Sequence, residues 1–101
     1  MSKIIMSRSE ILEILKQFKR KHSSRYGILL IGVFGSAARE QDSDISDVDI
    51  VVKTETPDPF NIVHIKEDLE EQLHLHVDIV RLREKMNPFL KDRIEKEAVF
   101  V

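Results

Sequence analysis

Apolar positions along this chain alternate between two spacings. Ile11, Leu12, Leu15 and Phe18 recur every three or four residues. They follow Ser7-Arg8-Ser9-Glu10, a capping-box pattern in which serine and glutamate satisfy each other's free amides. A first helix is therefore predicted over residues 8–21, with a loop over 22–27. ILLIGVF, residues 28–34, is almost unbroken apolar sequence, as expected of a strand buried on both faces. Gly35-Ser36 ends it, residues 37–40 have room for one or two helical turns, and 41–46 form a polar loop. VDIVVK, residues 48–53, is β-branched and predicts a second strand. Pro57 and Pro59 break the pattern, and Ile62, Ile65, Leu69 and Leu73 then predict an amphipathic helix over 59–73. VDIVRL, residues 77–82, is a third strand. Asn87-Pro88 supplies an N-cap and a first-turn proline for a last helix to residue 97, followed by the apolar tail AVFV.

The resulting order, α-β-α-β-α-β-α, predicts an α/β domain with a small mixed sheet flanked by helices. The helical link between the second and third strands favours a parallel pair, and the short link between the first and second suits an antiparallel one. The 101 residues suffice for one small domain, taken as residues 1–101. There is no cysteine, which excludes disulfides and thiolate metal sites. No apolar run is long enough to span a membrane and no secretory leader is evident, so a cytoplasmic location is expected. A formal net charge of −2 argues against broad electrostatic binding to nucleic acid. Basic residues do cluster at Lys16, Lys19, Arg20, Lys21 and Arg25, where a solvated helix face is the favoured reading.

The chemistry concentrates in GSAAREQDSDISDVDIVV, residues 35–52, which holds Asp42, Asp44, Asp47 and Asp49. Asp42 and Asp44 sit among Ser and Gln and read as solvated loop. Asp47 and Asp49 enter the strand, and at i and i+2 they point to one side of it. Paired carboxylates repel unless a cation separates them, and oxygen-only ligands suit Mg²⁺. A hydrated strand end serves the pair equally well. Asp78, inside His76-Val77-Asp78-Ile79-Val80, is a third acid placed within a strand, and favours a shared cluster over an isolated salt bridge to a residue such as Arg81.

Two resemblances fail. Asp42-x-Asp44-x-Ser46 begins like an EF-hand loop, but the sixth and twelfth positions are Asp47 and Lys53 instead of Gly and Glu. His74-x-His76-x-Asp78 could line a strand face and bind Zn²⁺, though a polar outer face explains it better, with His76 bordering the acid site. His22 and His64 read as surface residues.

Gly35-Ser36, at the end of a buried strand and the start of a turn, offers free backbone amides for an anion such as phosphate. Arg39 could add a positive charge. Gly35-Ser36-x-Ala38-Arg39, then Ser46-Asp47-x-Asp49-x-x-Val52, resembles the signature of the nucleotidyltransferase domain shared with DNA polymerase beta. The short chain looks like the minimal nucleotidyltransferases of bacteria and archaea. The resemblance implies that Gly35, Ser36 and Arg39 bind nucleotide phosphates. It also implies that Asp47, Asp49 and Asp78 are catalytic and bind two Mg²⁺ ions. Asp78 would help deprotonate the acceptor hydroxyl, with ATP as substrate and pyrophosphate leaving. Glu40 departs from the family, which usually has glycine after the arginine.

Because the chain is nearly all catalytic core, acceptor recognition is expected from a partner, an oligomer or exposed apolar surface. The resemblance implies a toxin–antitoxin pair in which the nucleotidyltransferase transfers AMP to a tyrosine of a HEPN toxin. The alternatives are a binding module that neutralises its partner by occlusion, where the tail 98–101 could serve as a contact or else pack as a strand, and transfer to a small molecule or nucleic acid.

Overall fold

The computed structural model describes residues 7–35 and 47–101. Helix α1 (Arg8–Tyr26) opens on the expected capping box. The Glu10 amide donates to Ser7 Oγ at 3.2 Å, and the Ser7 amide donates to Glu10 Oε1 at 3.3 Å. The helix does not stop at residue 21. It runs through the stretch expected as a loop to Tyr26, and Gly27 ends it in the left-handed region at φ 64°. Phe18, His22 and Tyr26, one turn apart, account for the extension. Their rings pack in series at a tilt, with centroids 4.7 Å apart for Phe18 and His22 and 5.7 Å for His22 and Tyr26. His22 is thus a half-buried packing residue and not a free surface one. Tyr26, 5% exposed, anchors the end by donating from its hydroxyl to Asp68 Oδ2 at 2.8 Å.

After α1 come strands β1 (Ile28–Phe34) and β2 (Asp47–Thr54), helix α2 (Pro59–Leu73), strand β3 (His76–Arg81), helix α3 (Pro88–Glu97) and strand β4 (Val99–Phe100). The turns predicted over 37–40 lie outside the described residues. Asp58 caps α2 by accepting from the Phe60 and Asn61 amides, and Asn87 caps α3 by accepting from those of Phe89 and Leu90. The sheet order is β3-β2-β1-β4. β1 pairs antiparallel with both β2 and β4, while β2 and β3 are parallel across the α2 crossover.

The two sheet faces carry unequal cores. α1 and α2 cover one face, where Ile11, Leu15, Phe18, Ile65, Leu69 and Leu73 pack on alternate strand residues such as Val33, Val48, Ile50 and Val77. α3 lies on the opposite face, over a smaller cluster of Phe34, Val51 and Ile94. β1 is not buried along its whole length. A register irregularity between Ile28 and Leu30 turns Leu29 and Leu30 outward, 45% and 36% exposed. Within the tail, Val99–Phe100 packs as a strand, one of the two roles expected for it. The Val101 amide donates to the Ile31 carbonyl at 3.0 Å, and Lys19 Nζ donates to the Val101 carbonyl at 2.9 Å. No helix among the described residues is long and apolar enough to cross a membrane.

Candidate active site

The site grows from the two-residue period of β2. Val48, Ile50 and Val52 are fully buried against α1 and α2, so Asp47, Asp49 and Val51 must face the α3 side. β3 obeys the same parity. Val77 is fully buried in the α1/α2 core, which leaves His76 and Asp78 on the acid side. Ladder register then decides who meets whom: Asp49 stands opposite Asp78, and Asp47 opposite His76. On its other flank Asp49 pairs with Phe34, the residue before Gly35. The three acids singled out in the sequence therefore share one sheet face.

Gly35 sits at φ 69°, a conformation that side chains resist. A Cβ placed there would come within 2.6 Å of Asp49 Oδ2. The glycine is required twice, by its backbone and by the carboxylate that lies against it. Ser36 and Arg39, the other residues assigned to the phosphates, lie outside the described residues, as do Glu40, Asp42 and Asp44.

Asp47 and Asp78 are open to solvent, with side chains 67% and 59% exposed, whereas Asp49 is half-buried between the flanking strands. Burial is the main cause that pushes the Asp49 carboxyl above its ordinary value, and the negative charge of Asp78 adds to it. Arg93 opposes the rise and Asp47 reinforces it. Arg93 was not foreseen as part of the site. It adjoins Ile94, which anchors α3 on Phe34 and Val51, and that packing brings its positive field to the acids. Helical periodicity marks Ile94 as apolar but says nothing of which strand it meets.

His76 Nδ1 is 3.4 Å from Asp47 Oδ1 and 3.9 Å from Asp78 Oδ1. His74 is not part of this face. It ends α2 as a left-handed cap at φ 55°, so the extended zinc arrangement of His74, His76 and Asp78 does not form. Arg81, three residues from Asp78, falls on the other strand parity. It lines a cleft of about 490 Å³ with Pro57, Ile62 and Val63, so it is not the partner of Asp78.

Among the described residues no three His, Asp or Glu side chains converge at ligating distance. The donor set nonetheless suits a hard divalent cation. It is rich in carboxylate oxygen, and Asp49 carries more negative surroundings than Arg93 offsets.

A half-buried acid flanked by two others, on a mixed sheet beside a strand-ending glycine, is an arrangement suited to phosphoryl or nucleotidyl transfer. Residues 5–101 match the family described as Polymerase beta, Nucleotidyltransferase, and the chain belongs to that family and is a nucleotidyltransferase. It is 34% identical over 98 residues to the protein adenylyltransferase MntA of Thermococcus cleftensis, covering 96% of this chain and 98% of that one. A Methanocaldococcus jannaschii protein, provisionally named a protein adenylyltransferase, is 35% identical over 94 residues, covering 92% and 96%. Among solved structures, the chain resembles one from a complex of tri-AMPylated Shewanella oneidensis HEPN toxin with MNT antitoxin. That likeness has a TM-score of 0.69 at 22% identity, covers 92% of this chain and 70% of that one, and supports the fold alone.

Proposed function

We propose that this chain transfers AMP from ATP to a hydroxyl of a partner protein, a tyrosine of a HEPN toxin, and thereby acts as an antitoxin. The observation that carries the reading is the alignment of Asp49 with Asp78 across β2 and β3, with Gly35 against Asp49. The names of the Thermococcus and Methanocaldococcus relatives support adenylyl transfer to protein, and the HEPN partner is carried over to this chain as part of the proposal.

Asp47, Asp49 and Asp78 would hold two Mg²⁺ ions, which when bound offset charge on the phosphates and lower the pKa of a coordinated hydroxyl. Gly35, Ser36 and Arg39 would seat the phosphates through backbone amides and one guanidinium. Asp78, the more exposed of the facing pair, would accept the acceptor's proton. The hydroxyl oxygen bonds to the α-phosphorus as the bond to pyrophosphate breaks. Half-buried Asp49 would keep its place with little rotamer freedom, giving the site a fixed reference point.

Incubation with labelled ATP, Mg²⁺ and the product of the neighbouring gene should place AMP covalently on that product. An Asp47→Ala, Asp49→Ala double variant should leave it unlabelled, and label that persists would defeat the assignment of the acids. Exposed Phe60, Val63 and Phe89 favour a second reading, occlusion of the partner by binding. A tight complex without label would select it.

A further inference from the structure

Strand register sets the imidazole of His76 opposite Asp47 and two residues from Asp78. Its place is held by backbone on both sides. His74 ends α2, the Val77 amide donates to Glu70 Oε2 at 3.0 Å, and the Val77 side chain is fully buried. Asp47, by contrast, opens β2 with its side chain 67% exposed. Such a carboxylate loses rotamer entropy when it is ordered and is a poor ligand unless something else orients it.

Imidazole can provide that orientation. Nδ1 lies nearer to Asp47 Oδ1, at 3.4 Å, than to Asp78 Oδ1, at 3.9 Å. The shorter approach, within ion-pair reach, sets the ring closer to Asp47 than to Asp78. We infer that His76 is a positioning residue whose ring nitrogen holds the Asp47 carboxylate in place beside Asp49 and Asp78, ready to ligate a divalent cation. This rests on the acids being the cation site. It gives the residue opposite Asp47 a role distinct from the three ligands, acting on cation affinity and not on the transferred group. Asp78, 3.9 Å from Nδ1, remains free to accept a proton from the acceptor.

Calorimetric titration of the full chain with Mn²⁺, in the presence of a non-hydrolysable ATP analogue, tests the role apart from turnover. His76→Ala should weaken Mn²⁺ binding about tenfold, the low end for loss of an outer-shell partner of a ligand, since the pair is exposed. His76→Asn, whose amide nitrogen takes the place of Nδ1, should restore most of the affinity. Unchanged affinity in a folded His76→Ala, or His76→Asn no better than alanine, would overturn the positioning role. If wild-type binding is abolished by Asp49→Asn yet untouched by His76→Ala, the acid site stands and only the role of His76 falls. If wild type itself binds no Mn²⁺, both fall.

Discussion

Asp49 and Asp78 are Cα partners on adjacent parallel strands, and both carboxylates face the side of the sheet that α1 and α2 leave open. Folding therefore brings two anions together and half-buries one of them. With the Asp49 carboxyl raised above its usual 3.8 in the fold, the native state binds more protons than the unfolded chain between the two values. Stability must then fall as pH climbs through that window, and the whole penalty is present above it. In a chelator-containing buffer, Asp49→Asn should flatten this decline and melt no lower than wild type at neutral pH. Nucleotidyl transfer should drop by about a thousandfold, the loss of several kcal/mol of transition-state stabilisation. Thermal melts across pH, paired with a pyrophosphate-release assay, check both halves.

Gly35→Ala is expected to damage stability and chemistry together. The left-handed backbone costs an alanine about 1–2 kcal/mol, and the new Cβ would press on Asp49 Oδ2. Denaturant midpoints should show the first loss. The second should appear as weaker Mn²⁺ binding in a variant that still folds.

Tyr26→Phe removes the hydroxyl that donates to Asp68 and ties α1 to α2. The loss should be about 1 kcal/mol by chemical denaturation. Burial, and then the Asp68 hydrogen bond, push the Tyr26 hydroxyl above its usual 10.0, so the fold favours the protonated phenol. Wild-type stability should decline as pH rises past 10.0, and the variant should lack that decline. Activity should be untouched.

Gly32→Val tests the chain end. A Cβ at Gly32 would run into the Val99 carbonyl and the Phe100 backbone, so β4 must shift or detach. The cost expected of such overpacking is about 1–3 kcal/mol. Hydrogen exchange at the Val101 amide, which donates to the Ile31 carbonyl, should accelerate more than exchange in β2.

Strands and helices with long periodic runs were legible from the sequence. α2 and α3 begin and end where their proline, cap and apolar spacing place them, and β2 and β3 fall within one residue. The acids were legible because carboxylates are costly inside β-branched strands. The end of α1 was not, because Ser23 and Ser24 suggest a loop, while ring contacts one turn apart from Phe18 to Tyr26 and the tertiary hydrogen bond from Tyr26 to Asp68 carry the helix onward. Arg93 was hidden for a similar reason. Its relevance depends on which sheet face receives Ile94, and helical spacing contains no such information.

The strict alternation along β2 has a genetic consequence. Odd positions 47 and 49 carry the acids, while even positions 48, 50 and 52 carry the core. Inserting or deleting one codon ahead of this strand cannot be absorbed by sliding it, since a shift of one residue would send carboxylates into the α1/α2 layer and valines to the acid side. Slips of two would preserve the parity but part Asp49 from Asp78. Length variation among descendants of this gene should therefore be barred from residues 47–52, and gathered instead in segments that no ladder constrains.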